Sequence, residues 1–210
     1  MSIAFYVASF ISLFALINPI SALPVFITLT EHHESKWRQY QIRKTCIYIF
    51  IICICSYFAG LYILTFFGIS INALKIAGGI MISRSGFLLL NSKHKSDIKG
   101  EIMKESLEKE DIAFSPLAMP LLAGPGTISL LINLSIANPE IVNTFTIMLA
   151  IISVILCIFF LFSIAPKVLK YTGQAGLKSF SKIMGFIVLS IGIEMMSSGA
   201  LSMLKTVQFK

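Results

Sequence analysis

Charge is missing from most of this chain, and its distribution decides what the chain can become. Residues 1–30, 45–74, 112–139 and 141–166 contain no Asp, Glu, Lys or Arg, and 183–204 contains only Glu194. A hydrocarbon core about 30 Å thick is crossed by about 20 helical residues, so each run is long enough to span a bilayer. The 210-residue chain is 56% hydrophobic and 13% charged, with a mean hydropathy of +0.86, outside the range of a soluble domain. A turn at Gly68 divides the second run. Six spans are predicted, at roughly 4–29, 46–67, 70–90, 114–136, 142–164 and 183–204. The first has no basic segment before it and no small-residue cleavage site, so it reads as a retained helix.

The net charge of +7 would suit nucleic acid on a soluble chain, but here the basic residues report topology. Lys36, Arg38, Arg43 and Lys44 lie between spans 1 and 2. Five lysines, from Lys93 to Lys109, lie between spans 3 and 4, and Lys167, Lys170, Lys178 and Lys182 between spans 5 and 6. The other two loops carry none. Basic loops stay cytoplasmic, which predicts that both termini face away from the cytoplasm in a multi-pass protein whose surroundings are the lipid bilayer and not nucleic acid. Trp37, Tyr40 and Tyr171 sit near span ends, where aromatic belts form.

The polar segment 91–113 is predicted to be a cytoplasmic linker between a first half, 1–90, and a second half, 114–210, of three spans each. Three is odd, so the second half enters the membrane upside down relative to the first. Internal matches support an inverted repeat. Pro19 and Pro24 align with Pro120 and Pro125, and Lys75-Ile-Ala-Gly78 aligns with Lys182-Ile-Met-Gly185.

The prolines matter beyond this alignment. Each lacks a backbone N–H and clashes with the carbonyl four residues back, so the chain between Pro19 and Pro24, and between Pro120 and Pro125, is expected to leave the regular helix. Gly124 and Gly126 reinforce the second break. Irregular backbone at membrane depth survives where protein buries it or where it lines a cavity, and matching breaks in two halves mark a transporter's site. Asn18, Ser21, Thr127 and Ser129 add neutral polar groups beside the freed backbone. Helix N-termini favour a carboxylate and helix C-termini an ammonium, so the breaks suit a zwitterion.

Enzymatic readings find no support. His32, His33 and His94 lie in loops or at span ends, no H-E-x-x-H occurs, and no nucleophile–base or metal-ligand set can be assembled within the spans, so no catalytic residue, metal or cofactor is expected. Cys46, Cys53, Cys55 and Cys157 form no CxxC and read as small buried hydrophobes. The ionisable residues within spans are Arg84 and Glu194. Buried charge in a membrane finds a partner or a function, so the two are candidates for an ion pair, and Glu194 for proton coupling.

Asn18-Pro-Ile-Ser-Ala-Leu-Pro-Val-Phe26, Phe67-Gly-Ile-Ser-Ile71, Lys75-Ile-Ala-Gly-Gly-Ile80, Pro116-Leu-Ala-Met-Pro-Leu-Leu-Ala-Gly-Pro-Gly-Thr-Ile-Ser129 and Met184-Gly185 through Gly192-Ile-Glu194 together resemble the MarC family, closest to its YchE-like branch. The resemblance covers nearly the whole chain. It implies a six-span protein of the bacterial inner membrane, grouped with neutral amino acid transporters. Two departures stand out: Ser21 replaces the glycine expected after Asn-Pro-Ile, and Arg84 is unusual for the family.

The expected protein is therefore all-α and polytopic, with two inverted three-helix repeats whose first helices are broken. It is expected to carry a small neutral amino acid by alternating access. Asn18, Ser21, Thr127 and Ser129 would contact substrate, with Pro19, Pro24, Pro120, Gly124, Pro125 and Gly126 shaping the backbone. A non-transporting component of envelope assembly or homeostasis is the alternative. Substrate identity, coupling ion and oligomeric state are not written in the sequence.

Overall fold

A computed structural model describes residues 3–30, 33–91 and 111–208, and all the regular structure among them is helical. The helices are α1 (Ile3–Ile17), α2 (Pro19–Thr30), α3 (Ser35–Phe66), α4 (Ile71–Leu90), a π-wound α5 (Ala113–Leu122), α6 (Pro125–Ala137), α7 (Ile141–Ser163) and α8 (Ala165–Gln208). By length and composition five stretches can cross a membrane, and the bent pair α5–α6 makes six. The linker expected at 91–113 falls mostly on residues 92–110, which with His32 and His94 lie outside the described residues.

Local chemistry explains the α3–α4 turn. Gly68 adopts φ 66°, a left-handed value that suits a residue without Cβ. The Ile69 N–H donates to the Leu64 carbonyl at 2.9 Å and the Gly68 N–H to that of Thr65 at 3.1 Å, which closes the helix with a Schellman pattern. Ser70 then caps α4, its hydroxyl accepting from the Ala73 N–H at 3.1 Å. Two helices extend past their predicted spans. α3 starts at Ser35 and runs through the basic, aromatic segment before the membrane, and α8 continues through the lysines at 167–182 with a kink at Gly173, φ 65°.

The main core gathers side chains from α1, α2, α3, α5, α6, α7 and the first part of α8, with Phe26 stacked on Phe162 at 4.5 Å between ring centroids. Hydroxyl pairs join helices inside it: Tyr6 donates to Ser153 at 2.9 Å, and Tyr57 to Thr144 at 3.1 Å. At one end Lys44 pairs with Asp111 at 2.6 Å, and the Thr45 hydroxyl donates to the Ala113 carbonyl at 3.3 Å, so α3 holds the entry to α5.

α4 packs along the second part of α8 by a different rule. Gly79 and Gly86 on α4 face Gly192 and Gly185 on α8, and Gly199 meets the backbone of Asn72. The glycines recur every seven residues on α8 and run antiparallel to their partners. Lipid offers apolar side chains no reason to leave it, so membrane helices associate through close packing, and glycine permits the closest approach. A small cluster of Ala15, Ile82, Val188 and Met195 ties this pair to α1.

That register separates Arg84 from Glu194. With Gly86 opposite Gly185 and Gly79 opposite Gly192, Arg84 lies across from residue 187, seven residues along α8 from Glu194, roughly 10 Å at 1.5 Å per residue. Both side chains are exposed and they form no ion pair with each other. The expected pairing inside the bundle is therefore corrected: each charge sits on an outward face of its helix.

Candidate functional site

The first break is a single residue. Asn18 stands at φ 44°, a left-handed conformation that asparagine tolerates better than most residues, and its N–H closes α1 on the Phe14 carbonyl at 2.8 Å. It also opens α2: the Ser21 N–H donates to the Asn18 carbonyl at 3.1 Å and to its Oδ1 at 3.3 Å. Pro19 occupies the first helical position, where a missing N–H costs nothing. α2 then continues through Pro24 to Thr30, so the expectation of non-helical chain between Pro19 and Pro24 does not hold. A proline within the helix removes one backbone bond. Nearby, the Thr28 hydroxyl binds the Pro24 carbonyl at 2.9 Å, and the Thr30 hydroxyl that of Phe26 at 2.8 Å.

The second break is wider. Ser115 and Met119 are extended, as residues before proline tend to be, and the peptide bonds they make to Pro116 and Pro120 are cis. Across them α5 is wound with bonds of five-residue span, from the Leu117 N–H to the Ile112 carbonyl at 3.2 Å and from the Ala123 N–H to the Ala118 carbonyl at 2.7 Å. Ala123 and Gly124 leave the helix, and α6 starts at Pro125 after a 65° bend. Gly124 is the extended residue before the helix and Pro125 its first, the positions held by Asn18 and Pro19 in the first break. The prolines with a shared structural place are thus Pro19 and Pro125, not Pro19 and Pro120. In this register Ser21 matches Thr127, a shift of 106 residues, close to the 107 that separates Lys75 from Lys182.

The two breaks face one cavity of about 220 Å³. Leu16, Ile17, Asn18, Ser21 and Ala22 form one side, Pro120–Leu122 and Gly124–Thr127 the other, and Ser85, Leu88 and Leu89 of α4 a third. No lining residue is charged. The C-terminal ends of α1 and α5 and the N-terminal ends of α2 and α6 all reach it, so partial charges of both signs border an otherwise apolar space. Asn18 and Thr127 are 5% and 2% exposed. The Asn18 Nδ2 has no hydrogen-bond partner.

Of the residues singled out in the sequence, the cavity brings together Asn18, Ser21, Pro120, Gly124, Pro125, Gly126 and Thr127. Pro19 and Pro24 shape α2 without lining it. Ser129 packs against α4 instead, where a Cβ on Gly78 would lie 2.7 Å from the Ser129 Cβ, and Arg84 and Glu194 lie outside the lining. Sequence reasoning missed Ser85, Leu88 and Leu89. Their i, i+3, i+4 spacing on span 3 places them on one face, a signal overshadowed by the charge on Arg84. Gly126 explains how α4 comes so close, since a Cβ there would sit 3.1 Å from Ile82 Cγ1.

Comparison with known proteins gives a consistent result. A family model described as "MarC family integral membrane protein" matches residues 3–204. A UPF0056 membrane protein of Methanocaldococcus jannaschii is 34% identical over 199 residues, which are 95% of this chain and 97% of that one. The UPF0056 membrane protein YvbG of Bacillus subtilis is 36% identical over 201 residues, 95% of each chain. The UPF0056 inner membrane protein MarC of Escherichia coli SMS-3-5 is 33% identical over 207 residues, 92% of this chain and 93% of its own. No solved structure matches.

Proposed function

The chain belongs to the MarC family of integral membrane proteins, and from this membership and the geometry of the cavity we propose that it is a secondary transporter of small neutral amino acids. The observation that carries the reading is the cavity itself, uncharged and bordered by both helix breaks. A zwitterion needs a positive and a negative surrounding in the same small space. Helix N-termini and C-termini supply both without a charged side chain, which would favour charged substrates over neutral ones. The volume of about 220 Å³ suits a ligand the size of glycine, alanine or serine. The reading assigns the chain no catalysis.

Transport would proceed by alternating access between two inverted halves. The matched positions of Asn18-Pro19 and Gly124-Pro125, together with the antiparallel contact of α4 and α8, support such a repeat. The lysine and arginine distribution supports an inner-membrane topology with both termini periplasmic, and the E. coli relative is named as an inner membrane protein.

Purified protein reconstituted into liposomes tests the proposal through uptake or counterflow of labelled alanine, with and without a pH gradient. Saturable alanine movement that Thr127→Val slows is the expected result. Vesicles containing folded protein that move no alanine, glycine or serine under either condition would overturn it.

A further inference from the structure

The two helix N-termini at the cavity are not equivalent. The N-terminus of α2 is capped by its own chain, because Asn18 Oδ1 and the Asn18 carbonyl both accept from the Ser21 N–H. At α6 the preceding residue is Gly124, which has no side chain and makes no cap bond. Pro125 brings no N–H, and the Ile128 N–H is taken by the Gly124 carbonyl at 3.2 Å. The N–H groups of Gly126 and Thr127 are thus the first-turn donors left without an intrahelical acceptor.

Two buried side chains share the cavity with that helix end. Thr127 lines the cavity and is 2% exposed. Asn18, from the opposite half, lines it at 5% exposure with its Nδ2 unpartnered. Buried donors without acceptors are costly. Their complement is an acceptor-rich group, and with no acidic side chain in the lining the helix dipole favours that group as an anion.

We infer that the ligand's carboxylate is held at the N-terminus of α6, by the backbone N–H groups of Gly126 and Thr127 and the Thr127 hydroxyl, with the Asn18 amide closing over it from the first half. The inference rests on the amino acid reading and specifies which helix end holds the substrate's carboxylate. It gives the glycine at 124 a purpose: a residue with its own capping oxygen would occupy the donors that the substrate needs. The backbone at Gly124, φ −78° and ψ 178°, is one that serine adopts readily.

The test is thermal unfolding of the full chain in detergent, titrated with alanine, with alaninamide, which keeps the amine but lacks the carboxylate, and with propionate, which lacks the amine. Alanine should stabilise the wild type and alaninamide should not. Thr127→Val should weaken alanine binding by about tenfold or more, the loss of one hydrogen bond to a charged group, while Thr127→Ser, which restores the hydroxyl, stays close to the wild type. Gly124→Ser should weaken binding comparably; its Cβ would lie 3.1 Å from the Pro120 carbonyl oxygen, so its ligand-free midpoint is measured beside that of the wild type, and lost alanine stabilisation in a variant that still unfolds cooperatively carries the test even if Thr127→Val fails to fold. Equal stabilisation by alanine and alaninamide, or wild-type alanine binding in both Thr127→Val and Gly124→Ser, would overturn the assignment and leave the transport reading standing. Stabilisation by propionate but not alanine, lost in the same variants, would keep the carboxylate site and remove the amino acid. No stabilisation by either would remove both.

Discussion

Gly79 and Gly192 approach so closely that a Cβ on Gly79 would lie 2.6 Å from the Gly192 carbonyl oxygen and 2.6 Å from the Met196 nitrogen. Both obstacles are backbone and cannot rotate away. The wall residues Ser85, Leu88 and Leu89 are carried on the same helix, so the distance between α4 and α8 bears directly on the shape of the cavity.

Gly79→Ala should therefore force the helices apart, at a cost of about 1–3 kcal/mol for overpacking. Gly86→Ala should act alike, since its Cβ would lie 2.5 Å from the Leu189 nitrogen. Thermal unfolding in detergent measures both. A variant at either glycine as stable as the wild type would mean that α4 and α8 pack less closely than these distances imply.

Asn18→Ala removes two things at once, a residue that tolerates φ 44° and the oxygen that caps α2. The expected loss is about 1–2 kcal/mol. Asn18→Gly keeps the conformation and loses only the cap, so it should fall between the alanine variant and the wild type in the same unfolding measurement.

Acid should weaken the junction between α3 and α5. The hydrogen bond from Lys44, followed by that from the Ala113 N–H, holds the Asp111 carboxyl below its ordinary value. A depressed carboxylate stabilises the fold above its unfolded pKa, near pH 4, and that contribution disappears as pH falls through the lower folded value. Asp111→Asn should flatten the pH dependence of the unfolding midpoint in this acid window. Near neutrality its effect should be small, because both partners are partly exposed at 31% and 44%. An unchanged acid profile in the variant would show that the pair does not couple to folding.

Ser85 is both exposed and part of the cavity wall. In a background with Cys46, Cys53, Cys55 and Cys157 replaced, Ser85→Cys should react with a small maleimide and be slowed by saturating alanine. Ser129→Cys, packed against Gly78, should show no such protection. Mass spectrometry of labelled protein separates the two, and protection at both positions or at neither would argue against the cavity as the site.

Much of this architecture was legible along the chain because its causes are local. A run without charge crosses the bilayer wherever it occurs, Gly68 turns because it lacks a Cβ, and a proline without an N–H opens a helix at its first position. That both breaks border one cavity was legible too, through Asn18, Ser21, Gly124 and Thr127. The position of the first break was not. Pro24 could have ended a helix as easily as Pro19, and the left-handed tolerance of Asn18 with its capping oxygen decided between them.

The sequence by itself determined the spans and the turn between α3 and α4, and it marked the two proline segments within which helices restart, since each follows from hydropathy or backbone chemistry within a few residues. Tertiary structure alone decided which faces meet. Gly79 on Gly192 and Gly86 on Gly185 set the register of two helices about a hundred residues apart. That register separated Arg84 from Glu194, while the packing of α6 on α4 set Ser129 against Gly78, and Ser85 of α4 joined the cavity wall. Contacts of this kind depend on how closely two backbones approach, and no local window of residues contains that distance.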